Sequence, residues 1–111
     1  MVNDIVLVPE NELDVRTVRI NEFEGIIDKL VIVSADYTAL VNDRFIIANE
    51  ACRVTLPDVN IGKIMTVKNS STGTVVVDGE NYRIDGSTLH TITVQYEWLT
   101  MVFNGTEWSS L

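Results

Sequence analysis

The runs Gly62-Lys63-Ile64-Met65-Thr66-Val67-Lys68 and Gly73-Thr74-Val75-Val76-Val77-Asp78 decide the fold class. The first alternates apolar side chains with Lys and Thr, and the second is rich in β-branched residues. A period of two sends successive side chains to opposite faces of a strand. Val and Thr suit a pleated, half-buried surface. Ser70-Ser71-Thr72-Gly73 between them reads as a turn. The pattern continues outward. Arg44-Phe45-Ile46-Ile47-Ala48 follows the polar pair Asn42-Asp43, and Arg53-Val54-Thr55-Leu56 stops at Pro57, which has no N–H to donate. Residues 89–94 alternate around His90, Thr91 and Thr93. Trp98-Leu99-Thr100-Met101-Val102-Phe103 runs into Asn104-Gly105, a dipeptide that favours a type I′ turn with positive φ at both residues. Thr106-Glu107-Trp108 then returns as a short last strand. Short strands with frequent turns predict a sandwich or a barrel-like sheet pair. With no helical crossover between them, the strands are expected to pair antiparallel. No internal repeat at a solenoid period is legible.

The chain of 111 residues is one domain by size. At this length about 60–70% of the unfolded chain's surface can be buried, so the core is thin. Apolar residues make up 46% and charged residues 22%, which is globular rather than disordered composition. Eight basic residues against sixteen acidic ones give a net charge of −8. That balance argues against a nucleic-acid backbone binder and against an anionic membrane surface as partners. It suits solubility, or a complementary basic partner surface. No apolar run is long enough to span a bilayer, and the start lacks the basic and apolar regions of a secretion signal.

Two parts are distinguished: an extended N-terminal leader, residues 1–33, and a β-rich body, residues 34–111. The leader concentrates acidic residues and holds two strand-like runs, Ile5-Val6-Leu7-Val8, closed by Pro9, and Val15-Arg16-Thr17-Val18-Arg19-Ile20. Within these, Ile5, Val6, Leu7, Val8, Val15, Val18 and Ile20 are the candidate attachment strands. Runs this short make no stable sheet alone, so they must pair with the body, a neighbouring chain or a host particle. Asn21 to Leu30 carries a helical alternative, with Asn21 as N-cap and Phe23, Ile26, Ile27 and Leu30 at helical spacing.

No catalytic constellation is found. Cys52 is the only cysteine and His90 the only histidine, so there is neither a disulfide nor a zinc ligand set. Cys52 lies in an alternating stretch, where a small buried hydrophobe is the ordinary role. Asp78, Glu80 and Asp85 offer paired carboxylates, but Asp78-Gly79 and Asp85-Gly86 read first as turns. The chain is therefore expected not to be an enzyme and to need no cofactor. The aromatic side chains are more informative: Tyr96, Trp98, Phe103 and Trp108 cluster near the C-terminus. Tyr96, Trp98 and Trp108 are the candidate binding or structural aromatics. Trp98 and Trp108 flank Asn104-Gly105 and are expected to approach across a hairpin, as core or as a sugar-stacking platform.

The order of elements in the body resembles a family. Tyr37 and Asn42-Asp43 precede Phe45-Ile46-Ile47-Ala48-Asn49, then Val54-Thr55-Leu56-Pro57, Gly62-Lys63, Ile84-Asp85-Gly86 and Asn104-Gly105-Thr106-Glu107-Trp108. This order resembles the small β-domain of bacteriophage fibre and virion-surface proteins, over about residues 35–111. The resemblance implies a homotrimer whose copies share an apolar axis, and a virion structural protein assembled in the host cytoplasm. Lacking a shaft, the chain fits a capsid decoration or head-fibre protein, with a major capsid or baseplate protein as partner. The alternatives are a tail-fibre or baseplate tip that binds a host glycan, or a carbohydrate-binding module. The whole expectation is thus an all-β chain, a small antiparallel β-sandwich or barrel-like body with its leader, working as a trimer.

Overall fold

The computed structural model describes residues 29–111. Every body run singled out above overlaps a strand: β3 (Asp43–Ala48), β4 (Cys52–Thr55), β5 (Ile64–Asn69), β6 (Val75–Asp78), β7 (Leu89–Ile92), β8 (Trp98–Phe103) and β9 (Trp108–Ser110), while β1 (Lys29–Val33) comes from the last residues assigned to the leader. A further strand of two residues, β2 (Tyr37–Thr38), lies between β1 and β3. The described residues form two open sheets, of order β1-β3-β5-β8-β9 and β2-β4-β6-β7. These residues hold no helix, so the described body is all-β and compatible with a sandwich.

The pairing corrects the antiparallel expectation. β1, β3 and β5 run parallel to one another, as do β2, β4 and β6. Only β5–β8, β6–β7 and β8–β9 are antiparallel. Parallel neighbours need a crossover, which is usually a helix. Here a strand of the opposite sheet supplies it, because the chain alternates between the sheets from β1 to β6. This winding is a short coil. Its turns are unequal: Val33 lies beside Ala48, and Ala48 beside Asn69, with a longer excursion in the second turn. Unequal turns leave no fixed period to read in the sequence.

One core lies along the inner faces. Ile46, Ala48, Met65, Val67, Leu99, Met101, Phe103 and Trp108 come from the five-stranded sheet, and Cys52, Val54, Val75, Val77 and Ile92 from the other. Two buried polar side chains organise corners. Asn69 Nδ2 donates to the carbonyls of Gly73 and Ile92, at 2.8 Å each, while its Oδ1 accepts from the Ser71 N–H and hydroxyl. Asp43 Oδ2 accepts from the Tyr37 hydroxyl at 2.6 Å and the Leu40 N–H at 2.8 Å. Lys29 Nζ stands 3.9 Å from Asp43 Oδ1, so one carboxylate ties β1, β2 and β3 together.

Two local expectations change. Asn104 does not adopt positive φ, so the β8–β9 turn is not type I′; only Gly105 does, at 99°. Asn104 Oδ1 instead accepts from the N–H groups of Thr106 and Glu107, and its own N–H donates to the Glu107 carbonyl. A side chain that closes its own turn removes the need for a second left-handed residue. Lys29 and Leu30 are extended in β1, where pairing with β3 overrides the helical spacing; the rest of the helical alternative lies outside the described residues.

Candidate functional site

The outer face of the five-stranded sheet is built from two cross-strand rows. Register places Leu30, Phe45, Thr66 and Thr100 in one row, and Ile32, Ile47, Lys68 and Trp98 in the next. Leu30 is 57% exposed, Ile32 61% and Trp98 65%, and Phe45 is also exposed. A shift of register between Lys29 and Leu30 leaves Arg44 without a partner residue on β1. This bulge brings the Arg44 guanidinium 4.5 Å above the Phe45 ring. Its Nη1 donates to Thr66 Oγ1 at 3.1 Å, and Thr66 Oγ1 in turn lies 2.9 Å from Thr100 Oγ1. These side chains line a shallow hollow of about 320 Å³. Among the described residues, the charged groups lining it are both cationic, Arg44 and Lys68.

The other sheet's outer face is different. Arg53, Thr55, Val76, Asp78, Leu89 and Thr91 face out there, and Arg53 Nη1 pairs with Asp78 Oδ2 at 2.7 Å. That is an ordinary solvated face. Large exposed apolar rows on one side only mark a surface adapted to contact.

The candidate aromatics separate. Trp108 is fully buried, with its ring 5.5 Å from Phe103, which in turn packs edge-on to Tyr82 at 4.7 Å. Its indole Nε1 has no hydrogen-bond partner among the described residues. Trp98 sits at the far end of β8, opposite Lys68 on β5, so the two tryptophans do not meet across the hairpin. The antiparallel register pairs Trp108 with Phe103 instead. Tyr96 is exposed in the preceding turn, with φ at 72°, its N–H donating to the Asn69 carbonyl. Lys68 Nζ lies 5.8 Å from the Tyr96 ring centroid. The structure thus brings Tyr96 and Trp98 to one end of the exposed rows and removes Trp108 to the core. The candidate attachment strands, Ile5 to Val8 with Val15, Val18 and Ile20, lie outside the described residues.

The rows themselves were missed in the sequence. Phe45 and Ile47 read there only as strand residues and Leu30 as the end of a helical alternative, while both faces of β1 and β3 are apolar. That two-faced apolarity is the signal that could have found them, because a strand solvated on one side alternates with polar residues.

Two of the three carboxylates of residues 78–86, Asp78 and Asp85, are engaged in structure. Asp78 holds Arg53 and accepts from the Glu80 N–H, while Asp85 accepts from the Ser110 N–H and hydroxyl. The two bonds from Ser110 hold the Asp85 carboxyl below its usual range. Burial, and then the charge of Asp36, push the Cys52 thiol up, away from the thiolate a nucleophile needs. Among the described residues no group of three or more His, Cys, Asp or Glu side chains could hold a metal ion. The described residues hold no helix long and apolar enough to cross a membrane. No protein-family model matches the chain, and neither does any curated protein.

Proposed function

We propose that this chain is a non-catalytic structural protein of a bacteriophage virion, a small decoration or head-fibre protein. It works as a homotrimer whose copies meet through the outer face of the five-stranded sheet. The observation that carries the reading is the pair of exposed apolar rows from Leu30 to Thr100 and from Ile32 to Trp98. Three partly exposed aromatic rings, Phe45, Tyr96 and Trp98, together leave about 300–400 Å² uncovered, and Leu30 and Ile32 add to it. That is the size of the largest apolar patch on a typical monomer, a patch that is often functional. Oligomerisation also supplies apolar burial that one thin core lacks. The order of motifs along the body supports the virion assignment, with a major capsid or baseplate protein as the further partner.

The test is the mass in solution. Light scattering at micromolar concentration is expected to give three chains for the wild type. Ile32→Asp with Phe45→Asp is expected to give one folded chain with an unchanged β spectrum. A wild-type monomer refutes the reading. A second reading rests on Tyr96 and Trp98, whose exposed rings beside Lys68 suit stacking on a sugar. A host-glycan site there predicts binding to an oligosaccharide array that Trp98→Ala abolishes while the mass stays the same.

A further inference from the structure

The alternation of β3 breaks at one place. Asp43 and Ile46 are buried, two residues stand between them, and both of these, Arg44 and Phe45, reach the outer face. The bulge opposite β1 is the cause, because an extra residue in one strand re-aims its neighbours. It sets a cation and an aromatic ring side by side at the hollow of about 320 Å³ on this face. Lys68 and Trp98, opposite each other on β5 and β8, form its other side. Such a volume lies at the lower end of the range of small-molecule sites.

The floor of the hollow is polar. Thr66 is buried, its Oγ1 accepts from Arg44 Nη1 at 3.1 Å, and the same oxygen lies 2.9 Å from Thr100 Oγ1. Each hydroxyl has one hydrogen. Whichever threonine donates to the other, one hydroxyl hydrogen of the pair is left over for an acceptor in the hollow. Arg44 gives one N–H to Thr66, of the five that a guanidinium carries. Lys68 adds an ammonium, 5.8 Å from the Tyr96 ring centroid. Among the described residues no side-chain carboxylate or amide lines the hollow.

That set of groups selects a ligand. The hydroxyl hydrogens of a neutral sugar need acceptors, and the side-chain acceptors here are two threonine oxygens already bonded to each other. An inorganic anion would use the cations and leave Phe45, Ile47 and Trp98 without a contact. A carboxylate matches a guanidinium with two parallel hydrogen bonds, and a flat apolar body behind it covers the rings. The chain as a whole carries a net charge of −8, so the attraction for an anion is local to these two side chains.

We propose that this hollow binds a small aromatic carboxylate, with the carboxylate on Arg44 and Lys68 and the ring against Phe45 and Trp98. The site goes beyond the contact between copies and stands in a single chain. Where copies meet on this face, the ligand neutralises two cations that the contact would otherwise bury.

The test titrates benzoate into the isotope-labelled full-length protein and follows the NMR signals of the Lys68 amide and the Trp98 indole. A dissociation constant of about 1 mM is expected, in keeping with so small a ligand. Benzamide, the same ring without the charge, is expected to bind about tenfold more weakly. Lys68→Gln and Trp98→Ala lie on the outer face and leave the core untouched. Each is expected to weaken benzoate about fivefold or more with an unchanged β spectrum. Absence of shifts with benzoate, or equal binding of benzamide, overturns the proposal. Galacturonate binding more tightly than benzoate overturns the apolar body and hands the hollow to the sugar reading. Light scattering on the same samples keeps the two questions apart: the mass decides the contact between copies, and the shifts decide the ligand.

Discussion

Replacing Trp108 is the sharpest probe of what holds the last strand. β9 has three residues, and its backbone is tied at Trp108 by an N–H donated to the Arg83 carbonyl at 2.8 Å and a carbonyl accepting from the Asp85 N–H at 2.9 Å. The ring fills the end of the core against Phe103 and is fully buried. Trp108→Ala removes the largest buried side chain, a truncation that costs about 3–5 kcal/mol. A domain of this size has about 5–15 kcal/mol in all. Trp108→Phe is the informative contrast. The indole Nε1 is buried with no partner among the described residues, a burden of about 1–3 kcal/mol that Phe does not carry. The volume lost in Trp108→Phe is thus offset, and its net cost is expected below about 1.5 kcal/mol. Urea unfolding followed by circular dichroism, with equal slopes required, measures both. In thermal melts the Ala variant should fall by about 12 °C or more. An Ala variant within about 1 kcal/mol of wild type would refute the core role of the ring. A Phe variant as damaged as Ala would refute the unpaired N–H.

Gly79→Ala is expected to destabilise severely, because a Cβ there would stand 2.0 Å from the Tyr82 carbonyl oxygen; a melt within a few degrees of wild type would contradict this. Tyr37 titrates at about 12, pushed up by its burial and then by its bond to Asp43, against 10 for a free tyrosine. The unfolded chain therefore loses this proton first, so stability falls as pH rises from about 10 to about 12. Tyr37→Phe should flatten that slope in alkaline unfolding titrations. Asp85 shifts the other way: its stabilisation is present above the ordinary carboxylate range and is lost as pH falls through its lowered value. Ser110→Ala should move the acid-unfolding midpoint of the protein upward, and an unmoved midpoint would remove Ser110 as the cause.

The strands were legible because alternation is a local signal, and it survives whatever the partner strand. Their direction was not. A parallel and an antiparallel strand both have period two, so Phe45-Ile46-Ile47 reads the same either way. What decides direction is the path between strands, and here that path is another strand. β2 is only Tyr37–Thr38, too short to stand out, and it makes the first return. The aromatic cluster shows the same limit. Both faces of β8 carry large side chains, with Leu99, Met101 and Phe103 on one and Trp98 and Val102 on the other. Only the register Phe103↔Trp108 decides that Trp108 shares the inward set. Asp43 was read as half of a turn; its burial beneath Tyr37 follows from β2, which the sequence did not reveal.

The edges of the two sheets bear on how the body meets its surroundings. Among the described residues four strands stand at edges: β1 and β9 in one sheet, β2 and β7 in the other. An exposed edge offers unpaired backbone groups to any passing strand, and proteins blunt such edges with short strands, charges or proline. β2 and β9 are blunted by length, at two and three residues. β7 carries His90 and Thr91 among its four residues. β1 has none of these devices beyond Lys29 at its start; Leu30, Val31, Ile32 and Val33 follow without a charge or a proline. It is also the strand whose outward side chains, Leu30 and Ile32, open the two exposed rows. An edge and a face that are both unprotected along the same strand cost a free monomer twice, in aggregation and in exposed apolar area. Contact along β1 between copies relieves both at once, which is why the proposed trimer is placed on this sheet and not on the one that carries Arg53 and Asp78.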